Sequence, residues 1–262
     1  MLETNRDALL ATTIAGEVTA PVMQSSIYDV THDGGVQILP GMGGVSLNAR
    51  VGDSAFHFVT EHLEPGVSAR HPDDKANVGF NLLACVGNRA VVASGDVKGA
   101  TGIVTGKHGG IEHVLIDFPA EVLERLLPGD RIAIRAVGVG LAFRNAGDLR
   151  AFNCDPAFLE RWGVEWSDGA AHVPVARVVP AAVMGSGLGR ATVSRGDYDI
   201  QTFDDVMAER YGLREIRLGD IVAITDADHS YAAPTGPAPC RSASSCTDAR
   251  RSPGTVRASR RS

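Results

Sequence analysis

Apolar positions along the chain come in short runs broken by glycine and proline, and long stripes at helical spacing are scarce. Thirty glycines and thirteen prolines separate segments such as Val91-Val92, Ile103-Val104, Val114-Leu115-Ile116, Ile132-Ala133-Ile134 and Ile221-Val222-Ala223-Ile224. Val and Ile suit a pleated, half-buried surface. The pattern therefore predicts an α+β chain, predominantly β, with barrel or sandwich subdomains and few short helices.

A Gly-Asp step recurs at Gly52-Asp53, Gly95-Asp96, Gly129-Asp130, Gly196-Asp197 and Gly219-Asp220. Glycine supplies the unusual φ of a tight turn and aspartate bonds back to nearby backbone, so these acids read as structural. Two stretches share a plan of helix, turn and buried strand. Residues 119–126 lead through Pro128-Gly129-Asp130 into Ile132 to Ile134, and residues 203–210 lead through Leu218-Gly219-Asp220 into Ile221 to Ile224. Pro119 and Thr202 stand where the helices are expected to start, with acids in each first turn. From Val91 to Phe118 the order strand, Gly-rich turn, strand, Gly-rich loop, strand resembles small SH3-like barrels. The predicted division is a β-rich part over 1–90, an SH3-like segment with its helix-turn-strand unit over 91–148, an α+β part over 149–231 and a tail over 232–262. The first three are expected to pack as one unit.

Charge changes the picture at the tail. The formal charge of −6 conceals a body with 19 basic and 30 acidic groups and a tail with six arginines and one aspartate. An acidic body repels phosphate backbones, which argues against nucleic-acid binding. The tail holds one valine and no Ile, Leu, Met, Phe, Tyr or Trp. Taking the serines as TCN, restoring one lost base would move the first T of the codons for Cys240, Ser242, Ser244, Ser245 and Cys246 to second place and make all five apolar. The tail thus reads as out-of-frame text after Tyr231 that hides a β-strand, with a genuine basic arm as the alternative; as it stands it is expected to stay disordered. Setting Cys240 and Cys246 aside leaves Cys85 and Cys154, the usage of a reduced cytosolic protein. No window offers the roughly 18–20 uninterrupted apolar residues of a membrane helix, and residues 1–10 do not read as a signal peptide, so the expectation is a cytoplasmic protein with no membrane partner.

Four motifs carry a family resemblance: LPGMGGVSLNARVGD over 39–53, SGDVKGATGIVTGKHGGIEHV over 94–114, GDYDIQT over 196–202 and LGDIVAITDADHSY over 218–231. They resemble the bacterial and archaeal family designated domain of unknown function 4438, along nearly the whole chain to Tyr231. The resemblance implies a β-rich fold of several subdomains and brings no assigned activity.

Candidate chemistry centres on two places. His108 and His113 flank Gly109, Gly110, Ile111 and Glu112, a loop entering a strand whose His113, Leu115 and Asp117 share one face. The glycines at 109 and 110 would let a ligand approach His108 closely. Asp226, Asp228 and His229 follow the strand at Ile221, and two carboxylates at i, i+2 with an imidazole suit a divalent metal or a general base. The expectation is that His108 shares one cleft with Asp226, Asp228 and His229. The glycine loops at 41–44 and 185–189 offer backbone N–H groups to an anion, the second with Arg190 beside it, although plain turns are the simpler reading. The run Arg70 to Lys75 reads as an exposed charged turn. Nucleophile-elbow, Cys-x-x-Cys and helical His-Glu-x-x-His motifs do not occur. Two functions are carried forward: an enzyme, metal-assisted or not, that hydrolyses or cleaves a small polar metabolite, and a non-catalytic ligand-binding or assembly protein, either of them open to homo-oligomerisation.

Overall fold

The computed structural model describes residues 2–23, 29–30, 34–147, 149–184, 194, 197–202 and 204–225, together with the backbone of 241–244 and 255–259. In chain order, the first half forms β1 (Thr12–Val18), β2 (Asp29–Val30), β3 (Val36–Gln37), β4 (Val67–Arg70), α1 (Asp74–Leu83), β5 (Arg89–Val92), β6 (Thr101–His108), β7 (His113–Asp117), α2 (Ala120–Leu123) and β8 (Arg131–Ala136). The second half adds α3 (Pro156–Trp162), β9 (Glu165–Ser167), β10 (Ala170–Pro174), β11 (Arg177–Pro180), α4 (Asp205–Arg210), β12 (Ile221–Thr225), β13 (Arg241–Ser244) and β14 (Thr255–Ser259).

Six strands close into a barrel in the order β1-β4-β7-β6-β5-β8. Alternation fills it. Val67 and Ala69, Ala90 and Val92, Val114 and Ile116, and Ile132 and Ile134 are all fully buried in one core, because side chains of period two put every second residue on the inner face. Phe80 of α1 and Val122 and Leu123 of α2 join the same core. A second core gathers Val179, Val183, Ala208, Leu213, Ile216, Val222 and Ile224, with Ala55 and Phe56 from the first half packed against it.

The turn chemistry follows the sequence. Asp53, Asp130 and Asp220 each accept a hydrogen bond from the backbone N–H three residues earlier, at 2.8, 3.0 and 2.8 Å. Both helix-turn-strand units form, leading into β8 and β12. Thr202 does not start the second helix; Asp204 does, its side chain accepting from the Met207 N–H at 3.0 Å. Their strands are not equivalent either. β8 is antiparallel to both barrel neighbours, whereas β12 runs parallel to β11.

The division near residue 90 falls inside β5, since the barrel recruits β1 and β4 from the first part to close against β7 and β8. Arg70 to Lys75 is the entry to α1: Asp73 caps the helix by accepting from the Ala76 N–H at 2.8 Å. In the tail, 241–244 pairs antiparallel with β12 and 255–259 with β10, where a structureless segment was expected. Backbone pairing needs only an open strand edge and is indifferent to the side chains that made the tail look unfoldable. The rest of the tail, with Cys240 and Cys246, lies outside the described residues.

Candidate active site

The hairpin of β6 and β7 sets His108 directly opposite His113. Val114 and Ile116 take the barrel interior, so His113 and its partner project from the outer face. They are nevertheless buried, His113 at 2% and His108 at 7% exposure. The loop before β4 covers them and brings Glu64, itself 5% exposed, between the two rings. Ser46 Oγ fixes this loop by donating to the Glu64 carbonyl at 2.7 Å.

Glu64 is the acceptor on which four donors converge. Oε1 accepts from His108 Nδ1, and both oxygens lie 3.1–3.2 Å from His113 Nδ1. Oε2 accepts from Ser68 Oγ and, at 2.7 Å, from the Gly43 N–H. Burial by itself would raise the Glu64 pKa; the bonds from His108, His113 and Ser68 more than reverse this and hold it well below the ordinary carboxylate range. An ionised carboxylate only accepts, so each imidazole must present Nδ1–H to it. Among the described residues neither Nε2 takes a hydrogen-bond partner in the structure. In the Gly41–Gly44 loop the Gly43 N–H meets an anion, the protein's own Glu64, while the Gly44 N–H goes to Thr19 Oγ1 at 3.0 Å.

His113 lines a cleft of about 860 Å³ between the end of β1, the start of α1 and the turn at 109–112. Its polar wall includes Glu17, Arg70, Asp74, Asn77 and Glu112. Asn77 ties helix to turn: its Nδ2 donates to the Glu112 carbonyl at 3.2 Å, and its Oδ1 accepts from the His71 N–H at 2.9 Å. Gly110, at φ +78°, and Glu112, at φ +62°, shape the turn, and Gly110 also lines the cleft. The left-handed backbone at Glu112 is uncommon for a residue with a side chain.

His108 looks elsewhere. Its ring lies 4.9 Å, centroid to centroid, from that of His62, and the Asp197 carboxylate faces the Gly109 N–H beside it. Asp197 is pushed up by burial and then by Asp199, against the opposing pull of His108 and the Gly109 N–H.

Of the residues singled out from the sequence, His108, Gly109, Gly110 and His113 come together here. Asp226, Asp228, His229 and Arg190 lie outside the described residues, and with them the cleft they were expected to share with His108. Among the described residues, no group of three or more His, Cys, Asp or Glu is arranged to hold a metal ion. Glu64, His62, Asp197 and Asp199 were missed; the spacing His62-Leu63-Glu64 just before a strand was the available signal.

Comparison with known proteins agrees with this architecture. Residues 28–160 match the N-terminal part, and residues 161–236 the C-terminal part, of the family described as domain of unknown function (DUF4438). The structure titled "Crystal structure of TM1086" is similar at 39% sequence identity and a TM-score of 0.84, covering 98% of this chain and 91% of that one. No curated protein matches. Among the described residues no helix is long and apolar enough to cross a membrane.

Proposed function

The chain belongs to the DUF4438 family, and from its site we propose that it is a cytoplasmic enzyme that moves a proton on a small polar metabolite, in a hydrolysis or elimination, with His113 as the acid–base group. One observation carries this reading: a buried carboxylate holds His113 by Nδ1 while the same residue lines the cleft. A neutral imidazole that donates Nδ1–H has its lone pair on Nε2, where it serves as a base. Once protonated there, it is stabilised by the Glu64 charge and returns the proton as an acid. The mixed wall of Arg70, Asp74, Asn77 and Glu112 suits a polar substrate rather than an apolar one.

The test is to incubate the protein with pooled hydroxy acids, amino acids and sugars in D2O and follow product formation and deuterium uptake by NMR. Turnover is expected, reduced roughly 10²- to 10⁴-fold by His113→Gln, with the fold checked by circular dichroism. Binding in the cleft with no conversion, or conversion that survives His113→Gln, would sink the proposal; the first outcome favours the alternative of a ligand-binding protein.

A further inference from the structure

The segment 197–202 has two unlike faces. Tyr198 and Ile200 pack against the second core, and the Gln201 N–H donates to the Val183 carbonyl at 3.0 Å, while Gln201 Nε2 bonds to the Met184 carbonyl. Asp197 and Asp199 alternate with them in sequence. Asp197 meets Gly109, and Asp199 Oδ2 stands 3.8 Å from His62 Nε2. His62 in turn lies against the His108 ring. The segment is thus a strap, anchored in the second core, that crosses the barrel's outer face beside the buried His108.

We propose that His62 is a protonation-operated latch that holds the strap 197–199 over His108. Four groups face it: Asp199, Glu61 at 3.8 Å from Nδ1, Asp197, and the His108 ring. A cationic His62 has three carboxylates to bridge, two on the strap and one on its own loop. A neutral His62 leaves Asp197 and Asp199 facing each other with the bridge gone. The Asp199 carboxylate raises the His62 pKa above its ordinary value, with Glu61 and Asp197 adding to it against the cost of partial burial. Because this pKa is higher in the folded chain, the latch is fully engaged below the ordinary imidazole value and is lost as pH rises through the folded value. The inference concerns the imidazole that does not line the cleft, and stands whether or not His113 acts on a substrate.

The experiment is a pH titration of the full chain by ¹H–¹⁵N NMR between pH 5 and 9, following the His62 ring, the amides of Gly109, Tyr198 and Asp199, and amide hydrogen exchange at Gly109 corrected for its intrinsic pH dependence. In the native protein the ring and these amides should titrate together with one midpoint above 6.5, the ordinary imidazole value. Corrected exchange at Gly109 should rise several-fold across it as the strap is released. His62→Gln should abolish the common midpoint and the rise; Asp199→Asn should lower the midpoint, and serves alone if the first variant fails to fold. A His62 ring that titrates while Gly109, Tyr198 and Asp199 do not follow would overturn the latch, as would a midpoint below the ordinary value.

Discussion

Glu64→Ala is expected to destabilise the protein by about 3–5 kcal/mol, the usual consequence of removing one partner from a buried charged group. The loss leaves two buried imidazoles, the Ser68 hydroxyl and the Gly43 N–H without their acceptor. For a domain of this size the melting temperature should fall by roughly 6–20 °C. A pH signature separates this from the effect of a simple cavity. The Glu64 pKa is lower folded than unfolded, so its contribution is complete above the ordinary carboxylate value and is lost as pH falls below it. Native protein should therefore lose stability steeply below about pH 4, and Glu64→Gln should lose it less steeply. Thermal melts of the three proteins between pH 3 and 7 decide it, and parallel pH curves would contradict the role given to Glu64.

The second large effect is expected at Gly43. Its φ is +92°, and a Cβ there would come 2.5 Å from the Ala20 carbonyl oxygen and 3.0 Å from Thr19 Oγ1. Neither neighbour gives way freely, since the first is backbone and the second accepts the Gly44 N–H. Gly43→Ala combines left-handed strain with overpacking and should destabilise by about 2–4 kcal/mol. It should also weaken the N–H bond to Glu64 and move that carboxyl back toward its ordinary range. Gly52 is the control, with a similar φ of +98° and open space where its Cβ would go. Gly52→Ala should show strain alone, with a smaller loss in a urea melt and no change at Glu64. Equal losses for the two variants would remove the close approach from the explanation.

What the sequence made legible was local. Alternation in Ile132-Ala133-Ile134 and the hairpin from Thr101 to Asp117 are set by period two and by turn glycines, and both form. The same hairpin gave the pair His108 and His113, because strand and loop placed them within one supersecondary unit. Barrel closure was not legible, since β1 meets β8 across more than a hundred residues and the pattern of β1 names no partner. Glu64 was hidden for the same reason. It sits in a stretch of Gly, Pro and charged residues with no period, and only long-range packing brings it to rings 44 and 49 residues away. Asp197 reads as a turn aspartate from its Gly-Asp step; its carboxylate instead faces Gly109, on a strap whose Tyr198 and Ile200 pack against the second core.

The central claim is that one buried, ionised carboxylate fixes both imidazoles by Nδ1. Long-range ¹H–¹⁵N correlation on histidine-labelled protein at neutral pH reads the ring tautomers directly. The account predicts Nδ1–H on His108 and on His113, both signals moving in Glu64→Gln. A ring carrying its proton on Nε2 alone, or a Glu64 carboxyl that titrates in the ordinary range, would contradict it.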